Sequence, residues 1–212
     1  MPDFEKLETL QDALSSFDTR PDLFNQYISY TQYDVGDAPS IRLSNVIAYL
    51  ERFVGRRQTL ILAEAPGPWG CRFTGIPITS EEEIGRSEFP IKATICTQGP
   101  PRKEYSSGIF WRVLESHHER FFTWNAVPFH PHKVGMTDSI RTPTITELRE
   151  CAVITRLVLD ICVPSRILAL GRRAEKQLTI LGAEAEYIRH PSQGGAKAFE
   201  KGMRDAFRTR KA

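Results

Sequence analysis

Three short stretches carry side chains that could do chemistry, and each follows an apolar run. "EAPGPWG" (64–70) places Glu64 at the end of "QTLILA". A carboxylate there can orient a water or stabilise a cation. The Pro66-Gly67 turn beside it lets backbone approach a ligand closely. "NAVPFHPH" (125–132) opens on Asn125, whose amide offers one acceptor and two donors and can read a base edge. "HPSQGG" (190–195) holds His190, with Pro191 stiffening the loop and biasing His190 toward extended backbone. Ser192 can cap the following helix or bond a phosphate. Each residue also has a plainer reading: Glu64 as a helix cap or salt-bridge partner, Asn125 as a turn residue serving backbone groups, His190 as a surface histidine.

The elements that must position these residues are legible from apolar spacing. Residues 58–63, 120–127, 166–170 and 185–190 read as strands, because their apolar runs are too short for helices. Helices are expected over 4–15, 21–30, 41–54 (closed by Gly55), 107–118, 145–163, 172–181 and in a last amphipathic segment. Ser80 three before Glu83, and Thr144 three before Glu147, are capping-box patterns that start helices near 81 and 145. Residues 97–108 form a Gly/Pro/Ser loop bearing Arg102 and Lys103. Strands alternating with helices predict an α/β fold: three layers, α/β/α, around a central four-stranded, mainly parallel sheet. In such folds the site lies at the carboxyl ends of the strands, which brings the Glu64, Asn125 and His190 loops to one edge. A chain of 212 residues fits a single domain spanning 1–212, with an N-terminal helical part (1–55) and a motif-bearing core (58–205).

Composition narrows the class. No apolar run approaches the ~18 residues of a membrane span, and the acidic, amphipathic start resembles no targeting peptide. The expectation is a soluble, cytoplasmic protein. A net charge of +2 announces no nucleic acid, but the ends differ: residues 1–30 balance at −4 and residues 189–212 at +5. The latter set holds Arg189, Lys197, Lys201, Arg204, Arg208, Arg210 and Lys211, and a basic end could meet phosphates or could simply solubilise a terminus. Cys71, Cys96, Cys151 and Cys162 have neither zinc-ribbon nor iron–sulfur spacing, and Cys151 and Cys162 read as core thiols. His130-x-His132, with His117 and His118, lacks a supporting carboxylate or cysteine for a metal. Neither a dinucleotide or P-loop glycine motif nor a GxSxG elbow is present.

With the three loops in this order, the chain resembles the uracil-DNA glycosylase superfamily over roughly residues 58–205. "EAPG" resembles the first motif of the bacterial and archaeal branch, "WNAV" the strand-end asparagine motif, "RILALGRRAEKQL" the strand–Gly–helix before the last motif, and "HPS" the second catalytic motif. The resemblance implies base flipping followed by hydrolysis of an N-glycosidic bond. Asn125 would then read the flipped base, His190 would donate to the pyrimidine O2 as charge grows there, and Glu64 would position water or balance the sugar cation. Ala65, Pro66 and Gly67 would floor the base site, with Trp69 or Phe73 stacking on it. Ser192, Gly194, Lys197, Lys201 and Arg102 would contact DNA.

The chain departs from that pattern in three places. In the branch that removes uracil fastest, an Asp follows the residue matching Glu64, and here it is Ala65. Ile78 falls near the position of a base-stacking Phe, and Gly194-Gly195 replaces the wedge that usually follows "HPS". The leading expectation is therefore a monofunctional, monomeric glycosylase that needs no cofactor and removes uracil or another deaminated base from DNA. A superfamily member that binds nucleic acid or a nucleotide without base release is the alternative, and a hydrolase using a metal on His130 and His132 is the third.

Overall fold

The expected strands and helices fall largely where apolar spacing puts them. A computed structural model describes residues 4–208, so Arg210 and Lys211, counted in the basic end, lie outside the described residues, as does Asp3 of the acidic one. The chain opens with α1 (Phe4–Ser15), β1 (Leu23–Phe24) and α2 (Ala38–Glu51). β2 (Thr59–Ala63) leads into two single-turn helices, α3 (Cys71–Thr74) and α4 (Glu81–Ile84). Then come α5 (Tyr105–Leu114), a 3-10 turn (Glu115–Arg120), β3 (Phe121–Asn125) and β4 (His130–Pro131). α6 (Ile145–Glu150) and α7 (Ala152–Cys162) precede β5 (Arg166–Leu170), α8 (Arg172–Leu181), β6 (Glu186–Ile188) and α9 (Ala196–Phe207).

The central sheet has four parallel strands in the order β3-β2-β5-β6. β3 is buried along its whole length and β2 along all but its first residue, as expected for strands covered on both faces. Because connections step from β2 in both directions, right-handed crossovers place helices on both faces. α1 packs on α7 and α7 on α8, while α5 packs on α9. Among the described residues, no helix is long and apolar enough to cross a membrane.

Two expectations fail, each for a reason outside the local sequence. Residues 21–30 are not a helix. Leu23 and Phe24 instead pair antiparallel with Pro131 and His130. The Asn25 amide turns back and donates to the carbonyls of Leu14 (2.8 Å) and Phe17 (2.6 Å), two acceptors left open where α1 ends. The helix expected over 145–163 is interrupted at Cys151, although the Thr144–Glu147 capping box opens it as predicted. Cys151 and Cys162 are buried thiols.

One buried side chain joins three helices to the Asn125 loop. Gln177 of α8 donates to the carbonyls of Ala126 (2.5 Å) and Leu148 (3.0 Å) and accepts from the Thr155 hydroxyl (2.9 Å). Gln177→Leu would strand two buried carbonyls. We expect a loss of about 1–3 kcal/mol in unfolding free energy, read as a lower urea midpoint with unchanged slope.

Candidate functional site

A cavity of about 810 Å³ opens over the carboxyl ends of the sheet, the place expected for an open parallel sheet. It is lined by residues 63–71, Ile78, Thr79, 103–107, 140–143, 171–173, Tyr187, Arg189, His190, Ser192 and Gln193. In register, Ala63 faces Asn125 across β2 and β3. Ala126 and Val127 then donate to the carbonyls of Ala63 (2.8 Å) and Glu64 (3.0 Å), so the two strand-end loops leave the sheet together.

Glu64 lines the cavity half-buried, and its position is fixed from α8. Its Oε1 accepts from the Arg173 amide at 3.1 Å, capping the start of that helix. Gly171, at φ +97°, makes this approach possible, since an added Cβ would overlap the same carboxylate. Among the described residues, no hydrogen bond occupies the other carboxylate oxygen. Glu64 is thus a helix cap, and it also faces the cavity.

The turn after Glu64 is built around a second carboxylate. Glu104 reaches in from the 97–104 loop and accepts from the Trp69 amide (3.2 Å) and the Ser106 hydroxyl (3.0 Å). A Cβ on Gly67 would overlap that carboxylate, and one on Gly70 would lie 2.7 Å from it. Burial raises the Glu104 pKa against these hydrogen bonds. Cys71 lies beside it, its thiol pushed far up by burial and then by Glu104. It is therefore a neutral contact and not a nucleophile.

Asn125 is 2 % exposed. Its Nδ2 meets Cys71 Sγ at 3.5 Å, and its Oδ1 is buried with no partner. An orphaned buried acceptor is costly and calls for a ligand or a water.

His190 follows β6 and faces the same cavity. The Ser192 amide donates to its Nδ1 at 3.2 Å, and the Ser192 hydroxyl lies 2.8 Å away. An amide can only donate, so Nδ1 is the acceptor and the neutral ring carries its proton on Nε2. Burial, then Arg189, pushes its pKa down to about 4. The ring at neutral pH is an uncharged N–H donor with a fixed tautomer. Gly195 permits this loop, because its Cβ would overlap the His190 carbonyl.

The structure relocates several expected residues. Phe73 is fully buried and does not line the cavity. It lies under Arg72 and Arg102, whose guanidinium carbons sit 4.5 and 4.8 Å from its ring centre. Trp69 does line the cavity, stacked 6.1 Å from Phe73. Arg102 is not free for DNA, since it packs 4.2 Å over Tyr33 and pairs with buried Glu81 at 3.6 Å. Ser192 orients His190 instead of standing free for a phosphate. Gly194 is exposed with open space around it. Lys197 and Lys201 stand on the exposed face of α9, outside the cavity, and Lys201 pairs with Asp205 at 2.7 Å. Ala65, Pro66 and Gly67 line the cavity. Ile78 also lines it, held at φ +53°, a costly conformation for a β-branched residue.

His130 and His132 face carbonyl oxygens: Pro66 and Thr137 at 2.9 Å for His130, Lys133 at 2.9 Å for His132. His130 thus sits between the Pro66 turn and the 133–140 loop; burial pushes its pKa down to about 4, and the neutral ring donates to one of the two carbonyls. Sequence reasoning missed Glu104, Tyr105, Arg172 and Arg173 of the cavity lining, and counted Arg189 only within the basic C-terminal end. The one available signal for Glu104 was the paired glycines of "GPWG".

No protein-family model and no curated protein matches the chain. Among solved structures, the crystal structure of wild-type Pedobacter heparinus SMUG2 is similar, with a TM-score of 0.64 and 15% sequence identity over 95% of this chain and 96% of that one. The likeness is one of fold, and it agrees with the uracil-DNA glycosylase-like architecture that the motifs implied.

The depressed histidines have a sign that can be checked. Between an ordinary value of 6.5 and a folded value of about 4, the unfolded chain takes up protons that the folded rings refuse. Their contribution is complete above that window and is lost as pH falls through it. At about pH 5.5, where an ordinary imidazole is mostly protonated, nitrogen-15 NMR should show His190 neutral with its proton on Nε2. An imidazolium pattern there would overturn the assignment.

Proposed function

We propose that the protein is a monofunctional DNA glycosylase that extrudes uracil or another deaminated base into this cavity and hydrolyses its N-glycosidic bond. The observation that carries the reading is the orphaned Asn125 Oδ1; Asn125 does not itself line the cavity, but its amide meets Cys71, which lines it together with His190. A flipped base with an N–H on its pairing edge would satisfy that acceptor. As the bond breaks, the base leaves with the electron pair and gains negative charge. A neutral, oriented N–H donor stabilises that charge without any proton transfer. The sugar becomes cation-like, and Glu64 faces it with its unbonded oxygen, able to balance the charge and hold the attacking water. The Arg172, Arg173 and Arg189 rim suits the backbone phosphates. The reading includes action as a monomer in the cytoplasm, without a cofactor. One observation favours binding without base release: the carboxylate at the β2 end is bonded to the Arg173 amide, and Ala65 beside it supplies no second acid.

Base release from a labelled oligonucleotide panel tests the reading, with uracil, hypoxanthine and xanthine each in single strands and in every mismatch. Release of one of these bases is expected. Asn125→Ala and His190→Ala should each slow it at least ~100-fold with folding intact. Unchanged rates in both would remove these residues from the site. If the exposed Lys197 at the start of α9 meets a phosphate, Lys197→Ala should reduce the salt slope of DNA binding by about 1. An unaltered slope takes it out of the interface.

A further inference from the structure

Tyr105 stands at the mouth of the cavity with its side chain 73 % exposed. It is the first residue of α5, and the backbone on both sides of it is fixed. Glu104 before it is bonded to the Trp69 amide at 3.2 Å, and the Ser106 hydroxyl after it donates back to Glu104 at 3.0 Å. Ser107 is buried and donates to Glu83. The ring therefore projects from a rigid base and has only two torsions to lose on binding a partner. No hydrogen bond or ring contact within the described residues engages it. Ile140, also lining the cavity, is 53 % exposed.

Extruding a base leaves a gap in the stack that must be filled or supported. The loop after His190 has nothing to do this with: Ser192 is bonded to His190, and Gln193, Gly194 and Gly195 bring no apolar side chain. We propose that Tyr105 performs this task, its ring stacking on a base of the strand next to the extruded nucleotide. Aromatic faces stack on any base, so the contact serves binding without reading sequence. The Arg172, Arg173 and Arg189 rim of the same cavity supplies the charge that brings a polyanion to the ring. The proposal rests on the base-release reading and adds the residue that makes a paired duplex acceptable.

The test compares wild type, Tyr105→Ala and Tyr105→Phe in single-turnover base release from a paired duplex and from the same base in a single strand. The exposed ring can be truncated without disturbing the core, which an unchanged Tm verifies. Tyr105→Ala should lower the duplex rate about tenfold or more and leave the single-strand rate within about twofold. Tyr105→Phe should retain the duplex rate, since stacking needs no hydroxyl. An undiminished duplex rate in the alanine variant, or an equal loss on both substrates, overturns the proposal. If wild type releases no base from any substrate, the glycosylase reading fails on its own. Stacking is then read by binding alone, with 2-aminopurine placed beside the modified base. Weaker quenching by Tyr105→Ala supports the proposal, and equal quenching overturns it.

Discussion

The cavity depends on carboxylates bonded to main-chain amides of other loops. Glu64, at the end of β2, accepts from Arg173 at the start of α8. Glu104, on the loop before α5, accepts from Trp69 in the turn after β2. Charged acceptors on backbone N–H groups are stronger than neutral ones, and helix starts favour negative charge. These bonds hold separate loops in one arrangement without filling the space between them with apolar side chains. The glycines follow as a consequence: Gly67, Gly70 and Gly171 sit where a Cβ would meet one of the two carboxylates. The floor is held by polar bonds beneath it, and the space above it stays open.

The same logic fixes His190. A histidine in this position could donate, accept or carry charge. Ser192 removes the ambiguity by donating its amide to Nδ1, and burial removes the charge. What remains is one N–H in a known direction. For a leaving group that develops negative charge, a neutral donor already in place requires no reorganisation at the moment of reaction. Serine two residues after the histidine is thus better explained by the imidazole than by a phosphate.

Much of this was legible in the sequence because it is local or periodic. β2, β3 and β5 are short apolar runs, the Thr144–Glu147 box is a four-residue pattern, and parallel alternation places Glu64, Asn125 and His190 on one edge. What was not legible depended on partners far along the chain. Residues 21–30 have helix-like composition, but Asn25 is claimed by the end of α1, and Leu23 and Phe24 by β4. Arg102 looks like a free cation in a loop, yet Tyr33 and Glu81 hold it. Phe73 and Trp69 are four residues apart around one turn, yet Phe73 is buried beneath Arg42, Arg72 and Arg102 while Trp69 lines the cavity. Local patterns gave no sign of which acid, among several in sequence, would enter the "GPWG" turn.

Glu64 shows why capping and the proposed catalytic role need not compete. A helix-start amide uses one oxygen of the carboxylate and fixes the orientation of the other. A freely rotating glutamate at the end of a strand would pay side-chain entropy each time it met a water or a sugar cation. The α8 amide has already restricted it. The cost is one acceptor, because the Arg173 amide already occupies one of the two carboxylate oxygens. Ala65, where a second acid could stand, supplies no further acceptor. Under the proposed base release, one free carboxylate oxygen and no second acid suit a leaving group that departs readily as an anion. That property separates uracil and hypoxanthine, whose anions gain a carbonyl group's stabilisation, from the cytosine and adenine they derive from.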